Sequence, residues 1–172
     1  MLETERLYHR KFTLEDLPRL IEMRSDPEVY RYLGGTMMQN AEAITKRMEF
    51  YIDCHDQYGF GMSAMFWKPT GEMIGWSGLQ PLDGTSEIEV GYGMIKEFWG
   101  RGIGLETARA WLDFGFNQKN LNRIVAVAYP ENTGSWRIME KLGMRYEKTE
   151  PHYGAECVFY AISKDEFVNL NT

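Results

Sequence analysis

The sequence predicts one mixed α/β domain over residues 1–172, with a central sheet of six or seven strands and about four helices around it. Three observations carry that expectation. The apolar pattern has the helical period at Ile44, Met48, Tyr51 and Ile52 and turns to short alternating or continuous runs elsewhere, as in Ile124 to Tyr129. Proline and glycine punctuate those runs at hairpin spacing, as in Lys68-Pro69-Thr70-Gly71-Glu72. From Glu87 to Tyr129 a strand, a glycine-rich loop, a helix and a second strand follow one another, the order of a βαβ unit.

Leu7 to Phe12 reads as the first strand. Thr13 with Asp16 three residues later has the form of a capping box, opening a helix with Leu17, Leu20 and Ile21 on its apolar side and Pro18 early enough to be tolerated. Asn40 caps a longer helix that runs out at Tyr58-Gly59. Phe60 to Trp67 and Met73 to Leu79 are the arms of a hairpin, and a second turn at Asp83-Gly84 leads into Glu87 to Met94, a strand whose glycines suggest close approach by another group. A helix of about fifteen residues follows Gly100 to Gly104, with Ile103, Ala108, Trp111, Leu112 and Gly115 on one side. Arg123 to Tyr129 is a buried strand, Ser135 to Leu142 a short helix stopped by Gly143, and Met144 to Lys148 and Glu156 to Ser163 are the last strands.

Composition excludes more than it selects. Of 172 residues 44% are apolar, and 19 Lys plus Arg against 25 Asp plus Glu give a net charge of −6, a field that repels phosphate backbones and anionic lipid. The longest apolar run, Ile124 to Tyr129, is far short of the ~20 residues that cross a bilayer. With charged Glu3, Glu5 and Arg6 in place of an apolar leader, the expected location is the cytoplasm. Cys54 and Cys157 are distant in sequence, and His9, His55 and His152 have no metal-ligand spacing, so neither a disulfide scaffold nor a metal site is expected. Asp53-Cys54-His55-Asp56 holds metal-capable types, but it ends an amphipathic helix where charges face water.

The chemistry concentrates at Phe98-Trp99-Gly100-Arg101-Gly102-Ile103-Gly104-Leu105-Glu106. Three alternate glycines between a strand and a helix let backbone N–H groups converge at the positive end of the helix dipole, which is an anion cradle suited to phosphate. The other reading is a helix start that happens to be rich in glycine. The loop lacks the Gly-Lys-Ser/Thr of nucleoside-triphosphate loops, and Thr107 stands where a dinucleotide fingerprint needs its third glycine.

A second segment decides between those readings: Glu131-Asn132-Thr133-Gly134-Ser135-Trp136-Arg137-Ile138-Met139-Glu140-Lys141-Leu142-Gly143-Met144. Here the chain resembles the GNAT N-acetyltransferase superfamily and, within it, the Rim-type group named for ribosomal-protein N-terminal acetyltransferases. The family's pyrophosphate loop, (Gln/Arg)-x-x-Gly-x-(Gly/Ala), corresponds here to Trp99-Gly100-Arg101-Gly102-Ile103-Gly104, which resembles it at Gly102 and Gly104 and carries the group's Trp-Gly in front and its glutamate at Glu106. Glu89-Val90-Gly91-Tyr92 resembles the group's Glu-Ile/Leu-Gly-Tyr strand, and Asn132-x-x-Ser135 with Glu140-Lys141-Leu142-Gly143 resembles its next helix.

The resemblance implies a GNAT-like fold and an acetyl-CoA cosubstrate, with no metal. The pyrophosphate would lie against the N–H groups of Arg101, Gly102, Ile103, Gly104, Leu105 and Glu106, with the charge of Arg101 nearby. Met94 and Ile95 would pair their backbone with the pantetheine amides, a strand N–H would stabilise the oxyanion, and Asn132 and Ser135 would approach the pantetheine arm and sulfur.

Amine acetylation also needs proton transfer. A lysine-like amine with pKa about 10.4 is neutral in roughly one molecule in two thousand at pH 7, an α-amine near 7.8 in roughly one in seven. Glu89 is the candidate base, directly or through water, against a reading as a solvated strand carboxylate, and Glu87 is the alternative on the same strand face. Many family members protonate the leaving thiolate with a tyrosine seven residues after the motif asparagine, where this chain has Met139. Ser135 takes the candidate role of acid, although Ser135 and Asn132 are also natural N-caps. Trp99, Trp111 and Trp136 read as packing. Tyr30-Arg31-Tyr32-Leu33-Gly34-Gly35 and Glu150-Pro151-His152-Tyr153-Gly154 would be loops bordering the acceptor groove.

The expected activity is therefore transfer of acetyl from acetyl-CoA to a primary amine by direct attack in a ternary complex, with a protein N-terminal α-amine as the leading acceptor. A small-molecule amine such as a polyamine or an antibiotic-like compound is the runner-up, and a non-catalytic acyl-CoA-binding module is the rival of another class. Neither nucleic acid nor membrane is expected as a partner, and the assembly is a monomer or homodimer.

Overall fold

A computed structural model describes residues 1–33 and 40–170. Its framework is one eight-stranded sheet in the order β1-β2-β3-β4-β5-β6-β8-β7. The strands are β1 (Leu2–Glu3), β2 (Leu7–Arg10), β3 (Met62–Trp67), β4 (Glu72–Pro81), β5 (Ile88–Met94), β6 (Arg123–Ala128), β7 (Arg145–His152) and β8 (Ala155–Ser163). The described helices are α1 (Leu17–Arg24), α2 (Pro27–Tyr30), α3 (Ala41–Tyr58), α4 (Ile103–Asp113), α5 (Thr133–Lys141) and α6 (Lys164–Leu170). The mixed α/β class is as the sequence predicts, with one strand and two helices more than expected. Each addition is short: β1 has two residues and α2 four, too few to show a period, and α6 follows β8 without a break at Ser163.

The predicted caps form as drawn. Asp16 accepts from the Thr13 backbone N–H at 2.8 Å while the Asp16 N–H donates to the Thr13 carbonyl at 3.0 Å. Arg10 adds two bonds to the same carboxylate at 2.7 and 2.8 Å, which ties the first helical turn to β2. The Asn40 side chain accepts from Ala43 N–H at 2.8 Å to open α3, and Ile44, Met48 and Tyr51 are buried along its inner face.

Side-chain alternation along β4 sorts the two layers. Trp76 faces a core built with Leu20, Met23, Ile44, Met48 and Tyr51 of α1 and α3. On the other face Leu79 joins Ala108, Trp111 and Leu112 of α4 and Met139 of α5. The sequence reads Gly91 and Gly93 as places of close approach, and the groups that approach are internal. A Cβ at Gly91 would stand 2.3 Å from the Met62 side chain, and one at Gly93 2.3 Å from the Trp76 indole.

The feature that positions the site is the one parallel pair. β5 is paired with β4 from Ile88 to Met94, and β6 with β8 from Arg123 to Ala128, but β5 and β6 meet at Glu89 opposite Val125. Beyond that point their C-terminal halves part. Helices α4 and α5, which follow these two strands, both begin at the open end.

No helix among the described residues is long and apolar enough to cross a membrane, and no group of three or more His, Cys, Asp or Glu stands together in a way that could hold a metal ion.

Candidate functional site

Gly102 caps α4 with φ +78°, a left-handed conformation that glycine adopts without penalty. The first helical hydrogen bond is from Glu106 N–H to the Gly102 carbonyl at 3.0 Å. The N–H groups of Ile103, Gly104 and Leu105 therefore precede the helical ladder and point out of the helix start, as an anion requires. This corrects the expectation at Glu106, whose N–H is engaged in the helix. Its side chain has a different task, accepting from Thr4 Oγ1 at 2.5 Å, from Arg6 N–H at 3.0 Å and from Arg6 Nε at 2.6 Å. Burial alone would raise the Glu106 pKa, and these bonds together with the Arg6 charge hold it below the usual value.

Arg6 is a residue the sequence reading missed. Its Nη1 donates to the Arg101 carbonyl at 3.0 Å, and its Nη2 stands 3.5 Å from where a Cβ on Gly102 would be. No motif marks it, because it lies about a hundred positions before the loop it touches. The guanidinium of Arg101 lies over the Phe98 ring at 4.9 Å and the Trp67 ring at 5.5 Å. Two cations thus flank the start of α4 in an acidic chain.

The backbone edge of β5 comes next. Ile95 N–H donates to the Ile74 carbonyl at 2.9 Å, and the Ile95 carbonyl accepts from Phe98 N–H at 3.1 Å. Both Ile95 groups are engaged, so the expectation that Ile95 pairs with pantetheine does not hold. Antiparallel alternation from that bond turns the N–H and C=O of Tyr92 and the N–H of Met94 the other way, toward the gap beside β6. The Met94 carbonyl accepts from Trp99 Nε1 at 2.9 Å. Tyr92 thus offers what Ile95 cannot, and the pattern of alternate glycines around it gave no hint of that parity.

Glu89 sits where the strands part, and it is buried. Gln80, its cross-strand partner on β4, donates from Nε2 to Glu89 Oε1 at 2.5 Å, and the Tyr153 hydroxyl donates to the same oxygen. Burial pushes the Glu89 pKa up, and the bonds from Tyr153 and Gln80 with the charges of Arg47 and His152 offset only part of it. A solvated carboxylate is therefore the wrong description. Glu87, the alternative base, lies before β5 and accepts from Arg123 Nε at 3.2 and 3.3 Å, while the rest of that guanidinium holds Glu147. That network makes Glu87 a structural ion pair.

Tyr92 and Ser135 form a second pair on the opposite face of β5. The Tyr92 hydroxyl donates to the Ser135 carbonyl at 3.1 Å and lies 3.2 Å from Ser135 Oγ. Burial raises the Tyr92 pKa to about 12, with Ser135 pulling it back slightly, so the hydroxyl keeps its proton at neutral pH. Asn132 is the N-cap of α5, accepting from Ser135 N–H at 3.3 Å. Ser135 itself lies in the first turn of α5, not at the cap. Met139 is buried in the core.

The expected acceptor loops are partly strand. Glu150, Pro151 and His152 end β7, and only Tyr153-Gly154 turns the chain toward β8. In the other segment Tyr30 ends α2 and residues 31–33 form turns, while Gly34 and Gly35 lie outside the described residues. His55 Nε2 is 3.1 Å from Ser63 Oγ, and Cys54 is buried.

Comparison with known proteins places this geometry. The profile of the Acetyltransferase (GNAT) domain matches residues 6–145. An uncharacterised N-acetyltransferase of Bacillus licheniformis, p20, is 33% identical over 147 residues, covering 85% of this chain and 83% of the relative. The crystal structure of an acetyltransferase from Agrobacterium tumefaciens superposes with a TM-score of 0.84 at 25% identity, covering 94% of this chain and 92% of that one. A ribosomal-protein-S5-alanine acetyltransferase from Vibrio fischeri shares the fold with a TM-score of 0.74 at 19% identity, covering 96% of this chain and 97% of that one.

Proposed function

The chain belongs to the GNAT acetyltransferase family, and from that premise we propose that it moves acetyl from acetyl-CoA to a primary amine, with a protein N-terminal α-amine as its first acceptor. The observation that carries the reading is the parting of β5 and β6 beyond Glu89 and Val125, with backbone groups of β5 turned toward the gap and the start of α4 at its end. An extended, amide-bearing arm ending in pyrophosphate has both kinds of partner there. Ile103, Gly104 and Leu105 would hold the phosphates through N–H groups, with Arg6 and Arg101 supplying charge. Tyr92 N–H and C=O and Met94 N–H would take the pantetheine amides, and Asn132 would line the start of α5. The domain is proposed to span residues 1–172 and to carry both substrates' contacts.

The side chains of β5 divide the proton work between its faces. Glu89 and Tyr92 have opposite parity on the strand and so point to opposite sides of the sheet. An amine approaching on the Glu89 face gives its proton to the carboxylate as the N–C bond forms. When the C–S bond breaks, its electron pair stays on sulfur; the Ser135 hydroxyl gives that sulfur a proton on the other face and takes one in turn from the Tyr92 hydroxyl 3.2 Å away, which water replaces as CoA leaves. An α-amine is favoured because a useful fraction is already neutral at pH 7, and the Rim-type motifs point the same way.

The test is CoA release over a panel of N-terminal peptides, polyamines and aminoglycoside-like amines, with the product identified by mass. Acetylation of a peptide α-amine is expected. Turnover only on small amines would replace the acceptor assignment, and binding of acetyl-CoA without turnover on any amine would favour a non-catalytic module.

A further inference from the structure

The carboxylate of Glu89 is held asymmetrically. Gln80 Nε2 and the Tyr153 hydroxyl both converge on Oε1, and Gln80 Nε2 also reaches the Tyr153 oxygen at 3.2 Å. No described residue donates to Oε2. On the same Gln80 amide, Oε1 is buried and has no hydrogen-bond partner, the sole buried side-chain polar atom so placed among the described residues. A buried acceptor left unpaired is costly, and evolved sites leave one where a ligand completes it. Tyr153 adds a sign of constraint, since it adopts φ +53° with a bulky side chain. Its ring lies under the Arg47 guanidinium of α3 at 5.7 Å.

Building on the reading of Glu89 as the base, we propose that Gln80 and Tyr153 are positioning residues of the acceptor site. They fix Glu89 by Oε1 so that Oε2 receives the amine's proton, and Gln80 Oε1 accepts a second N–H of the same nitrogen. A nitrogen with two N–H bonds to give satisfies both acceptors, so the site selects primary over secondary amines. The other titratable groups around Glu89 are Arg47 and Tyr51 from α3, His152 from β7 and Cys157 from β8. None of them supplies a hydrogen bond to the carboxylate.

The experiment follows the Glu89 carboxyl resonance by carbon-13 NMR, assigned by its loss in Glu89→Gln, and needs no turnover. In Tyr153→Phe, which keeps the ring and removes one donor to the charged form, the midpoint of that titration moves up by about one pH unit or more. An unchanged midpoint overturns the clamp. The second arm titrates a peptide with a free N-terminus, and its N-methyl counterpart, into the CoA complex of wild type and of Gln80→Met at about pH 9.5, where both amines are neutral and the N-methyl one has a single N–H to give. The wild type binds the primary amine about tenfold more tightly, and Gln80→Met narrows the gap to within about threefold. Equal preference in the two proteins overturns the role of Gln80. Failure of acetyl transfer to any amine leaves the carboxyl titration readable, so the clamp and the proposed function fail separately.

Discussion

A carboxylate that loses its water keeps its charge only where donors replace that water, and at Glu89 two donors crowd one oxygen while no described residue donates to the other. The group's pKa therefore rises on folding, and the linkage has a definite sign. Below the unfolded value of 4.5 the carboxyl is neutral in both states; as pH climbs past it the unfolded chain ionises while the buried carboxyl stays protonated, so stability falls until the pH passes the raised folded pKa and is level beyond it. Glu89→Gln should thus gain melting temperature over wild type as pH rises above 4.5, and a constant difference across pH would contradict the burial argument. His9 has the opposite dependence. Burial lowers its pKa to about 4, against the pull of the Leu2 carbonyl and Glu106, and it bonds to Thr107 Oγ1 at 3.0 Å inside the core. Its contribution is complete above 6.5 and fades as pH falls toward 4, by up to about 3 kcal/mol. Urea unfolding at the two ends of that window should show a smaller acid loss for His9→Gln than for wild type.

The start of α4 shows how one element joins fold to site. Gly102→Val places a branched side chain at φ +78° and fills the ground where the cradle must meet its anion, so acetyl-CoA affinity should collapse in a variant that still folds. Wild-type affinity in calorimetry would remove the cradle from the account. Glu106 acts one turn later. Three donors from Thr4 and Arg6 converge on it, so Glu106→Ala should cost about 1–3 kcal/mol in denaturant unfolding and loosen Arg6 from the loop.

Elements of this kind were legible in the sequence where signals are local. Asn40 and Gly59 mark both ends of α3, and the hairpin turn after Trp67 joins β3 to β4 as expected. What stayed hidden depends on parity or distance. Whether Tyr92 or Ile95 offers its backbone to the gap is set by the β4 register, and Arg6 reaches the loop only through tertiary packing. The Glu89 partners Gln80 and Tyr153 come from β4 and from a turn near the end of the chain, and no spacing rule joins them. Glu87 and Glu89 look equivalent as letters, and only the fold pairs one with Arg123 and buries the other.

At the scale of the molecule the sheet is continuous except where β5 and β6 separate, and that break faces two layers of different chemistry. On one side α3 and the β7–β8 turn bring Arg47 and Tyr153 to Glu89, and on the other α4 and α5 bring their helix starts, and Ser135 to Tyr92 of β5. On the proposed reading the net charge of −6 suits a cationic acceptor, while Arg101 and the Glu106-paired Arg6 would be the local cations for an anionic cosubstrate. The measurement that tests this account most directly is the pH dependence of kcat/KM for acetyl transfer to a peptide α-amine, in wild type and Glu89→Gln, with the product verified by mass. With Glu89 as the base, the wild-type rate rises through the elevated Glu89 pKa, and Glu89→Gln binds acetyl-CoA normally, turns over far more slowly and lacks that limb. Equal rates with the same acid limb in both proteins would contradict it.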